Sequence, residues 1–179
     1  SMFGISFLNE IVSRARFDKA GEILNRLRNK VKKSLRQTGE LYEQKDGMDI
    51  ALCVLDIENR KLEFAGAYNP IIIVRNNEII EYKGDSQPIA IHVIEKDFTS
   101  HDIDLQKDDV LYMFTDGYVD QIGGERNKKF LIKNLRKVFL AINEKPMEEQ
   151  KKILEEKIQD YIKGYEQLDD ILMVGFRIG

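Results

Sequence analysis

The sequence has little or none of several features that mark common protein classes. Its single cysteine, Cys53, excludes an internal disulfide and favours a reducing, cytoplasmic compartment. No apolar run approaches the ~18 residues of a membrane-spanning helix, and no signal peptide is visible. A P-loop, a Gly-x-Ser-x-Gly elbow and a Cys-x-x-Cys pair are also missing, so the chemistries that these motifs support are not indicated.

The charge balance gives no reason to expect nucleic acid as a partner. The net charge is −3, and basic residues concentrate only on one face of a predicted helix at 19–36. That face is either solvated or in contact with a partner or a regulatory segment. A nuclease with two catalytic carboxylates is disfavoured, because the chain has no further concentration of basic residues. The two histidines, His92 and His101, have no metal-ligand spacing and are expected to be structural or surface residues.

The sequence does contain a clear succession of helical and strand patterns, in a length of 179 residues that suits one domain. Apolar residues recur at helical spacing over 3–15 and 19–36, with Asp18 as the N-cap of the second helix. About six strands follow, then two helices, the second starting at Pro146, and one last strand. This order predicts an α+β fold, with antiparallel strands packed against segregated helices.

Several strands can be placed by their patterns. A near-continuous apolar run predicts a central strand at 50–57, whereas alternation at 98–105 predicts an edge or half-exposed strand. Asn76 and Asn77 tolerate positive φ and predict the turn of a hairpin between two further strands. The last strand is predicted over 171–178.

Carboxylates stand at the ends of two of the apolar strands. Asp116 ends one strand in an Asp-Gly turn, and Asp169 and Asp170 open the last strand. Strand ends can converge on one edge of a sheet, where carboxylate oxygens suit Mg²⁺ or Mn²⁺, and a cation would relieve the repulsion between adjacent carboxylates. The alternative is that both turns simply face solvent, since Asp-Gly is a common turn dipeptide. Asp49 and Asp120 are supporting candidates only.

Four motifs resemble those of one branch of the bacterial metal-dependent serine/threonine phosphatases. The branch is the SpoIIE/RsbU type of the PPM superfamily, which is also called protein phosphatase 2C-like. The motifs lie in family order, with family-like spacings, between residues 48 and 179. They are Phe64-Ala65-Gly66-Ala67-Tyr68-Asn69-Pro70, Pro88-Ile89-Ala90-Ile91, Phe114-Thr115-Asp116-Gly117-Tyr118-Val119-Asp120 and Leu168-Asp169-Asp170-Ile171-Leu172-Met173-Val174.

The resemblance implies an αββα sandwich with two Mn²⁺ or Mg²⁺ ions between its sheets. Asp116 matches the aspartate that binds metal after the long strand. Asp169 matches the ligand in the closing motif, with Asp170 beside it, and Gly117 matches the glycine that lets the backbone approach the site. The family chemistry implied is attack of metal-activated water on phosphorus, without a phosphoenzyme.

The resemblance also implies a setting in bacterial signal transduction, such as a stress response. Substrates in this branch are phosphoserine or phosphothreonine on small signalling proteins, often anti-sigma-factor antagonists. The domains are attached to upstream sensor modules, and the helices at 3–15 and 19–36 match an element that regulates and dimerises. A cytoplasmic homodimer is therefore expected, with a tether to a membrane sensor as an option in the full-length protein.

The chain departs from the family pattern at its start. The family's first acidic motif, and the strands that carry it, lie upstream of the first helix, so these strands and one metal ligand are expected to be missing. Leu172 stands for a threonine of the closing motif, and Ala90 for a loop glycine. Two hypotheses follow. One is a phosphatase domain that is weakly active or inactive as an isolated chain, with incomplete metal occupancy. The other is a catalytically inactive phosphatase-like module that binds or scaffolds a partner.

Overall fold

The computed structural model describes residues 2–14, 19–37 and 46–179. The helices are α1 (Met2–Arg14), α2 (Ala20–Ser34), α3 (Gly117–Asp120), α4 (Ile132–Ile142) and α5 (Met147–Ile162). The strands are β1 (Ile50–Asp56), β2 (Lys61–Ala67), β3 (Ile71–Arg75), β4 (Glu78–Tyr82), β5 (His101–Asp104), β6 (Val110–Phe114), β7 (Ile122–Gly123), β8 (Lys128–Lys129) and β9 (Met173–Arg177). Two compact units are formed: Ser1–Pro70 with Tyr82–Leu105, and Ile71–Glu81 with Gln106–Gly179.

The first unit is a three-stranded antiparallel sheet that packs against α2. Its strand order is β1-β2-β5. Leu24 and Leu27 of α2 are fully buried in one core cluster with Ala65 of β2, and α1 packs on α2. Burying a leucine side chain contributes about 1.5–3 kcal/mol, so this helix–sheet contact is a main source of the unit's stability.

The first turn of α2 is capped by two side chains, one from β2 and one from the residue just before β5. The N–H of Ala20 donates to Glu63 Oε1, and the N–H of Gly21 donates to Ser100 Oγ at 2.8 Å. These bonds satisfy two of the four N–H groups that a helix N-terminus leaves without an intrahelical partner. The predicted N-cap, Asp18, lies outside the described residues.

The second unit is a four-stranded antiparallel sheet that packs against α4 and α5. Its strand order is β4-β3-β6-β9. Tyr112 of β6 stacks on Phe139 of α4, with 3.8 Å between the ring centroids, within a core cluster to which both helices contribute. The predicted hairpin turn is confirmed, since Asn76 and Asn77 have φ of 49° and 62°.

The main helices and strands follow one another in the predicted order, but several of them begin or end at other residues than predicted. The strand predicted as central at 50–57 is β1, which lies at the edge of its sheet and is only half-buried or exposed. The strand predicted at 98–105 is reduced to β5. Upstream of it, the N–H of Thr99 donates to the carboxylate of Asp85 and not to a neighbouring strand. The last strand begins at Met173 rather than at residue 171.

The second predicted helix, 19–36, ends earlier than its apolar pattern indicated. Arg36 takes a positive φ of 53°, and the N–H of Gln37 donates back to the carbonyl of Lys32 at 2.9 Å, which closes the helix end. Leu35, part of the predicted apolar stripe, is therefore 47% exposed. Residue 15 of the first predicted helix lies outside the described residues.

Two short elements were not predicted. The turn after β6 is the one-turn helix α3, and the loop after it contains the β7–β8 hairpin. None of the described helices is both long and apolar enough to cross a membrane. A single domain over 1–179 stays a prediction.

Candidate metal site

The pairing of β6 with β9 brings the two carboxylate-bearing turns to one edge of the second unit's sheet. Phe114, the last residue of β6, pairs with Met173, the first residue of β9. The strands are antiparallel, so the residues after Phe114 run beside the residues before Met173. Continuing this register by three residues places Gly117 next to Asp170.

Thr115 joins the two turns through its backbone and its hydroxyl. Its N–H donates to the carbonyl of Leu172 at 3.0 Å. Its hydroxyl donates to the carbonyl of Asp170 at 2.9 Å and accepts from the N–H of Leu172 at 3.0 Å. Because the hydroxyl acts both as donor and as acceptor, no aliphatic residue of similar size can replace these two bonds.

Gly117 is required at its position by space. A Cβ added to Gly117 would lie 3.0 Å from the carbonyl carbon of Asp170, closer still to its oxygen, and 3.4 Å from the carbonyl oxygen of Asp169. The first two distances are too short for non-bonded atoms. The backbone of the Asp169–Asp170 turn therefore lies directly against Gly117. The part of Gly117 in a metal site stays a prediction.

The three predicted ligands, Asp116, Asp169 and Asp170, are exposed at this edge. Asp116 occupies the N-cap position of α3, and its side chain makes no capping hydrogen bond. Oδ1 of Asp169 accepts from the N–H of Asp170 at 2.7 Å. A carboxylate has about four lone-pair positions, so each of these groups keeps capacity to bind a cation.

This donor set fits a hard divalent cation in kind but is small in number. Carboxylate oxygens are the ligands that Mg²⁺ and Mn²⁺ prefer. Over the ranges 2–14, 19–37 and 46–179, however, no three His, Cys, Asp or Glu side chains are grouped closely enough to hold a metal ion. Asp116 and the Asp169–Asp170 turn would therefore supply part of a coordination shell.

The supporting candidates differ from these three. Asp120 lies on α3, and its Oδ2 is 2.8 Å from Nζ of Lys129 in a half-exposed ion pair, which contributes at most about 1 kcal/mol. Asp49 is exposed, in the first unit, just before β1. Whether Asp120 and Asp49 contribute to a metal site stays a prediction.

Cys53 is a poor nucleophile at neutral pH, because burial raises its pKa to about 12.

Sequence reasoning missed Gln121, which follows α3 and is fully buried. Its side chain holds the segment just before Asp169: Nε2 donates to the carbonyl of Glu166 at 2.9 Å, and Oε1 accepts from the N–H of Leu168 at 3.1 Å. A single glutamine beside a glycine pair carries no signal of such a role, because glutamine is usually an exposed residue.

A cleft of about 490 Å³ opens between α5 and β9 and includes Ile171, the residue after the acidic pair. Tyr112 and Tyr118 also line it, and their hydroxyls donate to Gln150 Oε1 and to the carbonyl of Leu154. Burial raises the pKa of both phenols well above the ordinary value. They are therefore protonated donors at neutral pH and do not act as bases.

Comparison with known proteins identifies the family. The family model "Stage II sporulation protein E (SpoIIE)" matches residues 4–179. The chain belongs to the SpoIIE family. This match confirms the resemblance of the four motifs to those of SpoIIE-type phosphatases. No curated protein matches the sequence.

Solved structures agree with this assignment at the level of the fold. The SiaA-PP2C domain of Pseudomonas aeruginosa is similar with a TM-score of 0.86 and 23% identity, covering 99% of this chain and 68% of that one. The PP2C phosphatase domain of SpoIIE from Bacillus subtilis, solved with a fragment of its regulatory domain, gives 0.73 and 21%, covering 97% and 49%. RsbX in complex with magnesium gives 0.68 and 12%, covering 98% and 73%. The predicted α+β class and the PPM phosphatase type of fold are confirmed.

Proposed function

We propose that this chain forms the phosphatase domain of a bacterial signalling protein and hydrolyses phosphoserine or phosphothreonine with the help of a divalent metal. The observation that carries the proposal is the contact between the two acidic turns. Thr115 bonds to the backbone on both sides of Ile171, and Gly117 lies against Asp170, so carboxylates that are distant in sequence share one exposed sheet edge.

Each residue of this edge has a defined part in the proposal. Asp116 with Asp169 or Asp170 would hold Mn²⁺ or Mg²⁺, of which the intact domain would bind two, and the magnesium complex of the structural neighbour RsbX supports this choice. A bound cation would supply activation of water and neutralisation of phosphate charge. Thr115 and Gly117 fix the distance between the turns. The exposure of the carboxylates leaves them open to a phosphorylated side chain on another protein.

The proposed partners follow from the same family. The substrate would be a phosphorylated signalling protein of the anti-sigma-factor-antagonist type, and an upstream sensor module would regulate the domain. The SpoIIE structure that includes a fragment of a regulatory domain supports such an arrangement. Ile5 and Val12 of α1 are 63% and 51% exposed and lie seven residues apart on one helix face. We propose them as contacts of a homodimer in the cytoplasm, tethered to a membrane sensor where the full-length protein has one.

The test is hydrolysis of phosphoserine and phosphothreonine peptides by the full-length protein with Mn²⁺. Asp116→Asn keeps the size of the side chain and removes its charge. Loss of a metal ligand is expected to cost several kcal/mol of transition-state stabilisation, or at least ~100-fold in kcat/KM. Asp160→Asn, at an exposed position of α5, makes the same change outside the site and is the matched control. Equal turnover of Asp116→Asn and the control would refute the assigned role.

The second candidate function is a phosphatase-like module that binds a partner without turnover. The small donor set favours it, since no group of three metal-ligating side chains is found among the described residues. Calorimetric titration of the full-length protein with Mn²⁺ separates the two functions. Binding heat that Asp116→Asn removes supports the phosphatase, whereas absence of binding supports the scaffold.

A further inference from the structure

The linker between α5 and β9, residues 163–172, carries Asp169 and Asp170 and is held by the segment 115–124. Near its start, the N–H of Gly124 donates to the carbonyl of Tyr161 at 3.0 Å. At its end, Thr115 bonds to the backbone of Asp170 and Leu172. Between these two points lies the side chain of Gln121. The linker therefore runs antiparallel to the segment that begins at the Asp116 turn.

Gln121 uses its whole amide group in these contacts. Nε2 donates to the carbonyls of Ile122 and Glu166, both at 2.9 Å, and Oε1 accepts from the N–H of Leu168 at 3.1 Å. The side chain is 0% exposed. A buried primary amide that lost these partners would keep polar atoms without hydrogen bonds, which destabilises the fold. The buried position of Gln121 therefore depends on the linker as much as the linker depends on Gln121.

The linker has few other restraints of this kind. Residues 163–170 are all exposed, and Gly164 takes a positive φ of 88°, which marks a sharp change of direction. An exposed segment gains little from apolar packing, so hydrogen bonds to its backbone determine how well it is ordered. The bond from the Leu168 N–H to Gln121 lies one residue before Asp169.

We infer that Gln121 is a positioning residue, which holds the backbone of the linker so that the Asp169–Asp170 turn stays against the Asp116 turn. It contacts neither carboxylate. That the position of the Asp169–Asp170 turn matters for catalysis rests on the proposed function. That Gln121 holds this turn in position does not rest on it. Groups that orient metal ligands without touching the metal typically change metal affinity by about 10- to 100-fold.

The first test measures the order of the linker in the metal-free protein. Gln121→Met keeps nearly the same volume and removes all three hydrogen bonds, and Gln159→Met, at an exposed position of α5, is the matched control. In Gln121→Met, exchange of the Leu168 amide hydrogen is expected to be at least ~10-fold faster, with the β6 amides unchanged. Unchanged exchange at Leu168 would overturn the inference, and so would an equal acceleration in β6, because that is a general loss of stability.

The second test measures metal affinity by the broadening of the Asp169 and Asp170 amide signals during a Mn²⁺ titration. Gln121→Met is expected to bind about 10-fold more weakly than wild type, and Gln159→Met equally well. Faster exchange at Leu168 with unchanged Mn²⁺ affinity would overturn the positioning role.

If the full-length wild-type protein shows no Mn²⁺ broadening, the proposed function fails. The positioning role of Gln121 is then decided in the metal-free protein, by comparing amide exchange at Leu168 and backbone order at Asp169 between wild type and Gln121→Met. If Gln121→Met does not fold, Gln121→Asn takes its place, because it keeps a buried primary amide that is one methylene too short to reach both Glu166 and Leu168. Its exchange at Leu168 and Mn²⁺ affinity must then change in the same directions for the inference to stand.

Discussion

Replacing Gly117 by alanine tests the contact between the two acidic turns most directly. The added Cβ would lie 3.0 Å from the carbonyl carbon of Asp170, whereas carbon atoms in contact prefer about 3.5–4.0 Å. The Asp170 backbone must therefore move by roughly 0.5–1 Å, and it cannot rotate away as a side chain would. Overpacking of this kind costs about 1–3 kcal/mol. Alanine would recover at most about 1 kcal/mol through its higher helix propensity in α3. A net loss of about 1–2 kcal/mol is expected.

Urea unfolding of wild type and Gly117→Ala, followed by circular dichroism, measures this difference. Gly179→Ala is the control, because a Cβ added there would have no atom within 4 Å, and a change within about ±0.5 kcal/mol is expected. In the full-length protein, a displacement of Asp170 by nearly 1 Å is expected to reduce phosphatase turnover by ~100-fold. If Gly117→Ala is as stable as wild type and leaves the Asp170 amide signal unshifted, the contact is not tight and the reasoning is refuted.

Two further predictions concern the stability of each unit, and urea unfolding checks both. Arg75→Met is expected to cost about 3–5 kcal/mol, because the guanidinium bonds to both carboxylate oxygens of Asp109, at 2.9 and 2.6 Å, and Asp109 is 1% exposed. The exposed Arg126→Met is expected to be neutral, and equal losses in the two variants would contradict the prediction. Ser100→Ala is expected to cost about 1 kcal/mol, because the N–H of Gly21 at the start of α2 loses its cap. An unfolding midpoint equal to that of wild type would show that the cap is not needed.

The fold could be predicted from the sequence wherever a local pattern decides the conformation. Asn76 and Asn77 adopt the positive φ that their side chains tolerate, and the apolar run ending at Phe114 is the buried strand it predicted. The position of β1 could not be predicted. An apolar run of strand length does not distinguish the centre of a sheet from its edge, and β1 lies at an edge. Such placement depends on partners that are distant in sequence.

The candidate site divides in the same way. Asp116 and the Asp169–Asp170 pair could be proposed from the sequence, because the end of an apolar strand is a local feature. Gly117 was proposed from its match to the family motif. The two turns come into contact because Phe114 pairs with Met173. This register depends on how the sheet assembles and cannot be read from either motif. Gln121 escaped prediction for the same reason. Its three hydrogen bonds depend on where the linker runs, and no neighbouring residue indicates that course.

The contact between the two acidic turns fits the proposed cation-dependent phosphatase. Like charges brought to one sheet edge repel one another, and the turns that carry Asp116 and Asp170 are held together by the tight Gly117 contact and the Thr115 bonds. Without a cation, neutral residues would make this edge more stable, since functional sites commonly reduce stability. A cation-dependent enzyme would gain from this arrangement, because the ion would offset the repulsion and would use ligands from both turns at a fixed distance.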